Sequence, residues 1–225
     1  MQYKTVIFDL DGTLLNTLDD LHASTNHALA HHGMPPRTKD EVRRFVGNGI
    51  YNLIRQAVVP GTSKSTIQEV HATFDAHYAK HNLDRTAPYE GISTLLSNLK
   101  AADVRCCVVS NKGDYAVQPL VQHFFPNTFD VACGEREKEG IRRKPWPDTV
   151  LTCMESLGMT RADCVYVGDS EVDVATAQNA GMDHIIVLWG FRSEEFLRQN
   201  GARTLVHTPA QLEALLLHGR LPTQG

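Results

Sequence analysis

The chain has 225 residues, 42% hydrophobic and 21% charged, with 26 Asp and Glu against 22 Lys and Arg. That length suits one large domain, or a domain carrying a smaller insert. A net charge of −4 with both signs mixed offers no basic surface for nucleic acid or an anionic membrane, and no apolar stretch approaches the roughly 20 residues of a membrane span.

In chain order, Met1 leads straight into Tyr3-Lys4-Thr5-Val6-Ile7-Phe8, which reads as a strand over residues 5–8. A signal peptide would show a basic start, a longer apolar run and a small-residue cleavage site, so a cytoplasmic location is expected. From 18 to 85 no buried strand is apparent. Helical patterns cover 18–32, 40–45, 51–58 and 65–81, separated by the turn signals Gly33-Met34-Pro35-Pro36, Gly47-Asn48-Gly49 and Pro60-Gly61. Beyond 85 the pattern alternates. Nearly continuous apolar runs at 105–109, 129–133, 164–167 and 184–188 read as strands buried on both faces of a parallel sheet. Helical stretches at 92–101, 115–124, 149–157 and 172–180 lie among them, several ending at a Gly as helix C-termini do. The expected fold class is α/β: a doubly wound, mostly parallel sheet. Its core domain comprises residues 1–17 and 86–225, and an all-helical domain, 18–85, is inserted after the first strand. An insert there lies over the strand ends where open α/β sheets bind ligands, the place of a lid.

Side chains without a chemical pattern take plain readings. Cys106, Cys107, Cys133, Cys153 and Cys164 are odd in number and contain no C-x-x-C, so buried free thiols are expected and not a disulfide framework or zinc site. His27/His31 and His77/His81 have i,i+4 spacing but no H-E-x-x-H context, and are read as solvated helix faces.

The chemistry lies at the strand ends. The first strand is followed by Asp9-Leu10-Asp11-Gly12-Thr13, the second by Ser110-Asn111-Lys112 and the fourth by Gly168-Asp169-Ser170. In a parallel sheet these converge on one edge, which Lys144 can reach from the loop after the third strand. Clustered carboxylates repel one another unless protonated or bound to a cation, and oxygen-only ligands favour a hard ion such as Mg²⁺. Ser110 and Lys144 suit an oxyanion. A metal, an anion cradle and a spare carboxylate make a phosphoryl-transfer site.

These four motifs resemble, in order and spacing, those of the haloacid dehalogenase superfamily. Asp9-Leu10-Asp11-Gly12-Thr13 resembles its first, Ser110 its second, Lys144 in Lys-Pro-Trp-Pro-Asp its third, and Gly168-Asp169-Ser170-Glu171-Val172-Asp173 its fourth. The helical insert resembles the superfamily's cap. The resemblance implies a Mg²⁺-dependent phosphomonoester hydrolase with Asp9 as nucleophile, forming an aspartyl-phosphate, and Asp11 as general acid and then base. It assigns the metal to Asp9, Asp11 (through its carbonyl), Asp169 and Asp173, and the phosphate to Gly12, Ser110, Asn111 and Lys144. Side chains at i and i+2 of a strand project the same way, so Asp9 and Asp11 could address one phosphorus. Gly47-Asn48-Gly49 in the cap, preceded by Arg43-Arg44, looks like the phosphoglycolate phosphatase branch. Arg43, Gly47, Asn48 and Gly49 are therefore candidate substrate contacts, and 2-phosphoglycolate is the first candidate substrate. Pyrophosphate, sugar phosphates and nucleoside monophosphates are alternatives. The superfamily's sugar phosphomutases carry a cap His where this chain has Leu21, with His22 about 100° round the helix, which counts against a mutase. A non-catalytic phosphate-binding protein would not need Asp11. The expected partner is a small phosphorylated metabolite, without nucleic acid or membrane, acted on by a monomer or homodimer.

Overall fold

The computed structural model describes residues 3–219; residues 1, 2 and 220–225 of the expected core domain lie outside them. Six strands form one sheet: β1 (Thr5–Phe8), β4 (Arg105–Gly113), β5 (Val131–Glu135), β6 (Cys164–Gly168), β7 (Asp183–Val187) and β8 (Leu205–Val206), in the order β5-β4-β1-β6-β7-β8. Every pairing in it is parallel. Two-residue strands β2 (Leu15–Asn16) and β3 (Ala87–Pro88) pair antiparallel where the chain leaves for the insert and returns from it.

Strand alternation divides the core between the two faces of the sheet. Val6, Phe8, Val108, Val165 and Val167 pack with Leu95 and Leu99 of α5 (Ile92–Ala101), Val117 and Leu120 of α6 (Asp114–Phe124), and Leu212 of α10 (Pro209–His218). Ile7, Cys107, Val109 and Tyr166 face Cys153 of α7 (Asp148–Ser156) and Ala177 of α8 (Glu171–Ala180). Both faces are covered, which is why the strands read as continuous apolar runs. The short α9 (Glu194–Gln199) buries Leu197 against Val174 and Ile186. All five cysteines are buried free thiols.

The insert consists of α1 (Leu18–His31), α2 (Lys39–Phe45), α3 (Ile50–Ala57) and α4 (Lys64–His81). It has a hydrophobic cluster of its own: Leu21, Leu29, Val42, Leu53, Ile54, Val70, Phe74 and Tyr78, joined from outside by Phe191 alone among its buried members. Helix α2 starts with a reciprocal capping box: Glu41 N–H donates to Thr38 Oγ1 at 3.2 Å, and Thr38 N–H to Glu41 Oε2 at 2.7 Å. No helix among the described residues is long and apolar enough to cross a membrane.

The strands depart from the sequence expectation in one informative place. β4 does not stop before Ser110 but runs to Gly113, with a register shift against β5 between Val109 and Gly113. The polar run Ser110-Asn111-Lys112 is thus strand, buried beneath the insert.

Candidate active site

β1 lies between β4 and β6, so the chain leaves it toward opposite sides of the sheet, and the crevice beyond its carboxyl end is where such folds place ligands. Asp9 follows β1, Ser110 lies in β4 and Asp169 follows β6. All three are buried and line one small cavity.

Lys144 ties this group together. Its Nζ donates to Asp9 Oδ1 and Asp173 Oδ1, both at 2.8 Å, and to the Tyr166 hydroxyl at 3.0 Å, so its three N–H bonds are all engaged. Asp173 is the first-turn residue of α8 that the helical spacing from Asp169 implied. Its Oδ1 takes Lys144, and the Tyr166 hydroxyl lies 3.2 Å from it. Its Oδ2 accepts Asp169 N–H at 3.2 Å, Ser170 N–H at 3.0 Å and Ser170 Oγ at 2.6 Å. Both oxygens are therefore occupied from within the protein. Asp169 Oδ2 accepts Phe191 N–H at 2.7 Å, and its Oδ1 lies 3.4 Å from Thr13 Oγ1. A Cβ on Gly12 or on Gly190 would collide with the Asp169 carboxylate, and Gly12 has φ +88°; only glycine gives both that backbone and that approach.

Oxygen atoms of Asp9, Asp169 and Asp173 lie within 4.8 Å of one another, with a single ammonium among them. Burial, with Asp173 and Asp11 adding to it against the pull of Lys144, pushes the Asp9 carboxyl up to about 7. Burial and the charges of Asp173 and Asp9 likewise raise Asp169 well above the usual range. Burial works against a charged Lys144, yet Asp173 and Asp9 overcome it and hold the ammonium firmly protonated. The cluster is short of positive charge, and all of its donors are oxygens. That fits a hard divalent metal, with Asp9 and Asp169 as the carboxylates that retain capacity for it.

The other expected residues are placed as follows. Asp11 accepts Thr17 Oγ1 on Oδ1 at 2.7 Å and pairs with Lys112 Nζ through Oδ2 at 3.0 Å. Ser110 Oγ accepts Lys112 N–H at 3.2 Å, which leaves the hydroxyl proton for an oxyanion. Gly12 N–H donates to Leu15 O. Asn111 Nδ2 donates to Gly47 O in the insert and to Lys144 O, each at 3.0 Å, so its side chain staples three segments together. Gly47 and Gly49 line the cavity, and Gly49, at φ +80°, approaches Asn111 and Arg143 closely. Asn48 does not line it; its carbonyl caps Asn52 Nδ2 at 2.9 Å. Arg43 is paired with Asp40 at 2.8 Å and borders, with Arg44, an outer groove of about 810 Å³ instead of the cavity. Leu21 lines the cavity, whereas His22 turns to Arg37 O at 2.9 Å.

Sequence reasoning placed Lys112 at this edge without giving it a role, and missed Arg192 altogether. Lys112, its side chain only 1% exposed, links Asp11 to the hydroxyl of Tyr78 in α4, 3.0 Å away. The available signal was its position two residues after Ser110 on one strand. Arg192, after β7, donates to Arg43 O at 3.0 Å, Val46 O at 2.7 Å and Glu171 at 2.9 Å; its loop position gave no signal. With these contacts made, the cavity has about 30 Å³ of free volume, the room of one water molecule.

The model of the haloacid dehalogenase-like hydrolases matches residues 6–187. A phosphoglycolate phosphatase of Xylella fastidiosa is 33% identical over 192 residues, 85% of this chain and 83% of that protein. An N-acetylmuramic acid 6-phosphate phosphatase of Pseudomonas aeruginosa is 28% identical, over 94% of each chain. A crystal structure from Lactobacillus delbrueckii subsp. bulgaricus, provisionally named a phosphoglycolate phosphatase, superposes with a TM-score of 0.91 at 38% identity, covering 97% of this chain and 100% of that one.

Proposed function

The chain belongs to the haloacid dehalogenase-like hydrolase family and is a phosphatase of that family, and from this premise we propose that it hydrolyses small phosphomonoesters through an aspartyl-phosphate on Asp9, with 2-phosphoglycolate as its preferred substrate. The observation that carries the reading is Lys144: one buried ammonium joins the carboxylate after β1 to the carboxylate that holds the loop after β6.

In the first step a carboxylate oxygen of Asp9 attacks phosphorus, and Asp11 gives a proton to the departing alkoxide oxygen. In the second, Asp11 takes a proton from water, whose oxygen attacks phosphorus and releases phosphate and free Asp9. Lys144 orients the Asp9 carboxylate for in-line attack. The Ser110 hydroxyl donates to a phosphate oxygen. Asp173 engages Lys144 with one oxygen and with the other fixes the turn that presents Asp169, which makes it a positioning group and not a direct ligand. Asp9, Asp169 and the Asp11 carbonyl would hold the metal, for which Mg²⁺ is the proposed ion. Bound there, it neutralises phosphate charge so that a carboxylate can approach a dianion. The insert, residues 18–85, acts as a cap: about 30 Å³ cannot admit a substrate, so the cap opens to load and closes to exclude water. The cytoplasm is the proposed compartment.

The phosphoglycolate preference is supported by the named relatives, among them the Xylella fastidiosa phosphoglycolate phosphatase at 33% identity. It is tested by phosphate release with Mg²⁺ across 2-phosphoglycolate, pyrophosphate, sugar phosphates including N-acetylmuramic acid 6-phosphate, and nucleoside monophosphates. The highest kcat/KM is expected for 2-phosphoglycolate. A larger value for a sugar or nucleoside phosphate would refute the assignment while leaving the chemistry at Asp9 intact.

A further inference from the structure

Of the three acceptors around the Lys144 ammonium, two are carboxylate oxygens, Asp9 Oδ1 and Asp173 Oδ1 at 2.8 Å, and the third is the hydroxyl of Tyr166 at 3.0 Å. Neither the attack on phosphorus nor the proton transfers employ that hydroxyl, yet it is buried at the centre of the charged cluster.

Lys144 stands in the loop between β5 and α7, and its ammonium turns freely on a flexible four-carbon stem. Two acceptors define an axis about which such an ammonium still swings. A third acceptor off that axis fixes it. A carboxylate in that place would add negative charge where Asp9, Asp169 and Asp173 already crowd together. A neutral hydroxyl accepts the third N–H without adding charge.

The hydroxyl is itself held firmly. Tyr166 lies in β6, packed among Ile7, Val109 and Ala177. It is in register with Ile7 of β1, two residues before Asp9, and the Asp9 N–H donates to Val167 O at 2.8 Å, so Tyr166 and Asp9 are carried by one ladder. The hydroxyl proton faces Val109 O and Asp173 Oδ1, each at 3.2 Å. Val109 precedes Ser110 and stands where the register of β4 against β5 begins to shift. One oxygen therefore refers the ammonium to the sheet, while the carboxylates on either side of it follow a strand end and a helix turn.

We infer that Tyr166 is a positioning residue of the phosphoryl-transfer step: its hydroxyl fixes the third direction of the Lys144 ammonium and, through it, the orientation of the Asp9 carboxylate toward phosphorus. This rests on the phosphatase reading above.

The test uses the full-length protein with Mg²⁺ and the phosphomonoester that wild type turns over best. Wild type is compared with Tyr166→Phe, which removes one oxygen and keeps the ring. Aspartyl-phosphate formation in the first turnover is followed by acid quench over a range of substrate concentrations. The rate at saturation is expected to fall by about 10-fold, while the half-saturating concentration stays within about 3-fold of wild type. If Tyr166→Phe shows no cooperative melt, Tyr166→Met is read in the same way. A saturating rate within about 2-fold of wild type marks the hydroxyl as support for the fold alone, whatever the melting temperature, and overturns the inference while the phosphatase reading stands. A half-saturating concentration raised by about 10-fold or more assigns the hydroxyl to substrate binding and overturns it too. A wild type that hydrolyses no phosphomonoester overturns the reading and the inference together.

Discussion

Asp173 shows how one side chain supports a site without touching the reacting atoms. It accepts four hydrogen bonds at 3.2 Å or less from Lys144, Ser170 and the Asp169 amide. Asp173→Asn replaces one acceptor oxygen by a donor and leaves Lys144 with Asp9 as its one carboxylate partner. Removing one member of a buried ion pair costs about 3 kcal/mol or more, and the turn bearing Asp169 loses its anchor. A lower melting temperature is expected, together with a kcat reduced by roughly 100-fold; a variant with unchanged kcat would exclude the positioning role. Gly12→Ala is expected to be harsher toward the metal than toward the fold. The left-handed backbone costs about 1–2 kcal/mol, and the added methyl meets the Asp169 carboxylate directly. Mg²⁺ titrations of activity should show a weakened midpoint.

At the scale of elements, the junction of α2 with the core is the place to perturb the cap without altering the chemistry. Arg192 reaches from the loop after β7 to the carbonyls of Arg43 and Val46 at the end of α2, where a cation also meets the negative end of the helix. Arg192→Ala should favour the open cap and raise KM by about 10-fold with a smaller change in kcat; an unchanged KM would show that the junction does not gate entry. The sequence made the site legible where an element boundary and a chemical group coincide. Asp9 and Asp169 each follow directly on an apolar strand, and Asp173 sits one turn into a helix, so strand period and helix period located them. The role of Lys112 and the presence of Arg192 were hidden for opposite reasons. The first lies in a polar run that looks like a strand's end but is its continuation, because β4 passes under the insert and the insert buries it. The second lies in a loop and reaches the insert through backbone carbonyls 146 residues or more away in the chain, and no local pattern encodes that. Arg43 misled in the other direction: its spacing before Gly47 suggested a ligand, but its pairing with Asp40 faces the outer groove. β8 and the β2–β3 pair are two residues per strand, too short to show a period of two.

For the whole molecule, a sheet with two packed faces supplies rigidity, and a helical insert with its own core is the proposed moving part. The two meet through a few polar contacts around a charged centre. Without a cation that centre disfavours its own charges, since burial and neighbouring carboxylates drive Asp9 and Asp169 toward protonation. Mg²⁺ should therefore stabilise the fold as well as enable turnover. At 100 times its dissociation constant the gain is about 2.7 kcal/mol, read as a rise in melting temperature that EDTA reverses and that Asp169→Asn abolishes. An identical melt with and without Mg²⁺ would contradict a metal at this cluster.

The central claim is covalent chemistry at Asp9, and acid quench of a single turnover tests it most directly. Wild-type protein is mixed with substoichiometric 2-phosphoglycolate and Mg²⁺, quenched within the first turnover and digested for mass spectrometry. A phosphoryl group is expected on the peptide containing Asp9, absent from Asp9→Asn, whose melt stays cooperative while phosphate release is lost. Sustained turnover by Asp9→Asn, or a phosphoryl group on another residue, would contradict it.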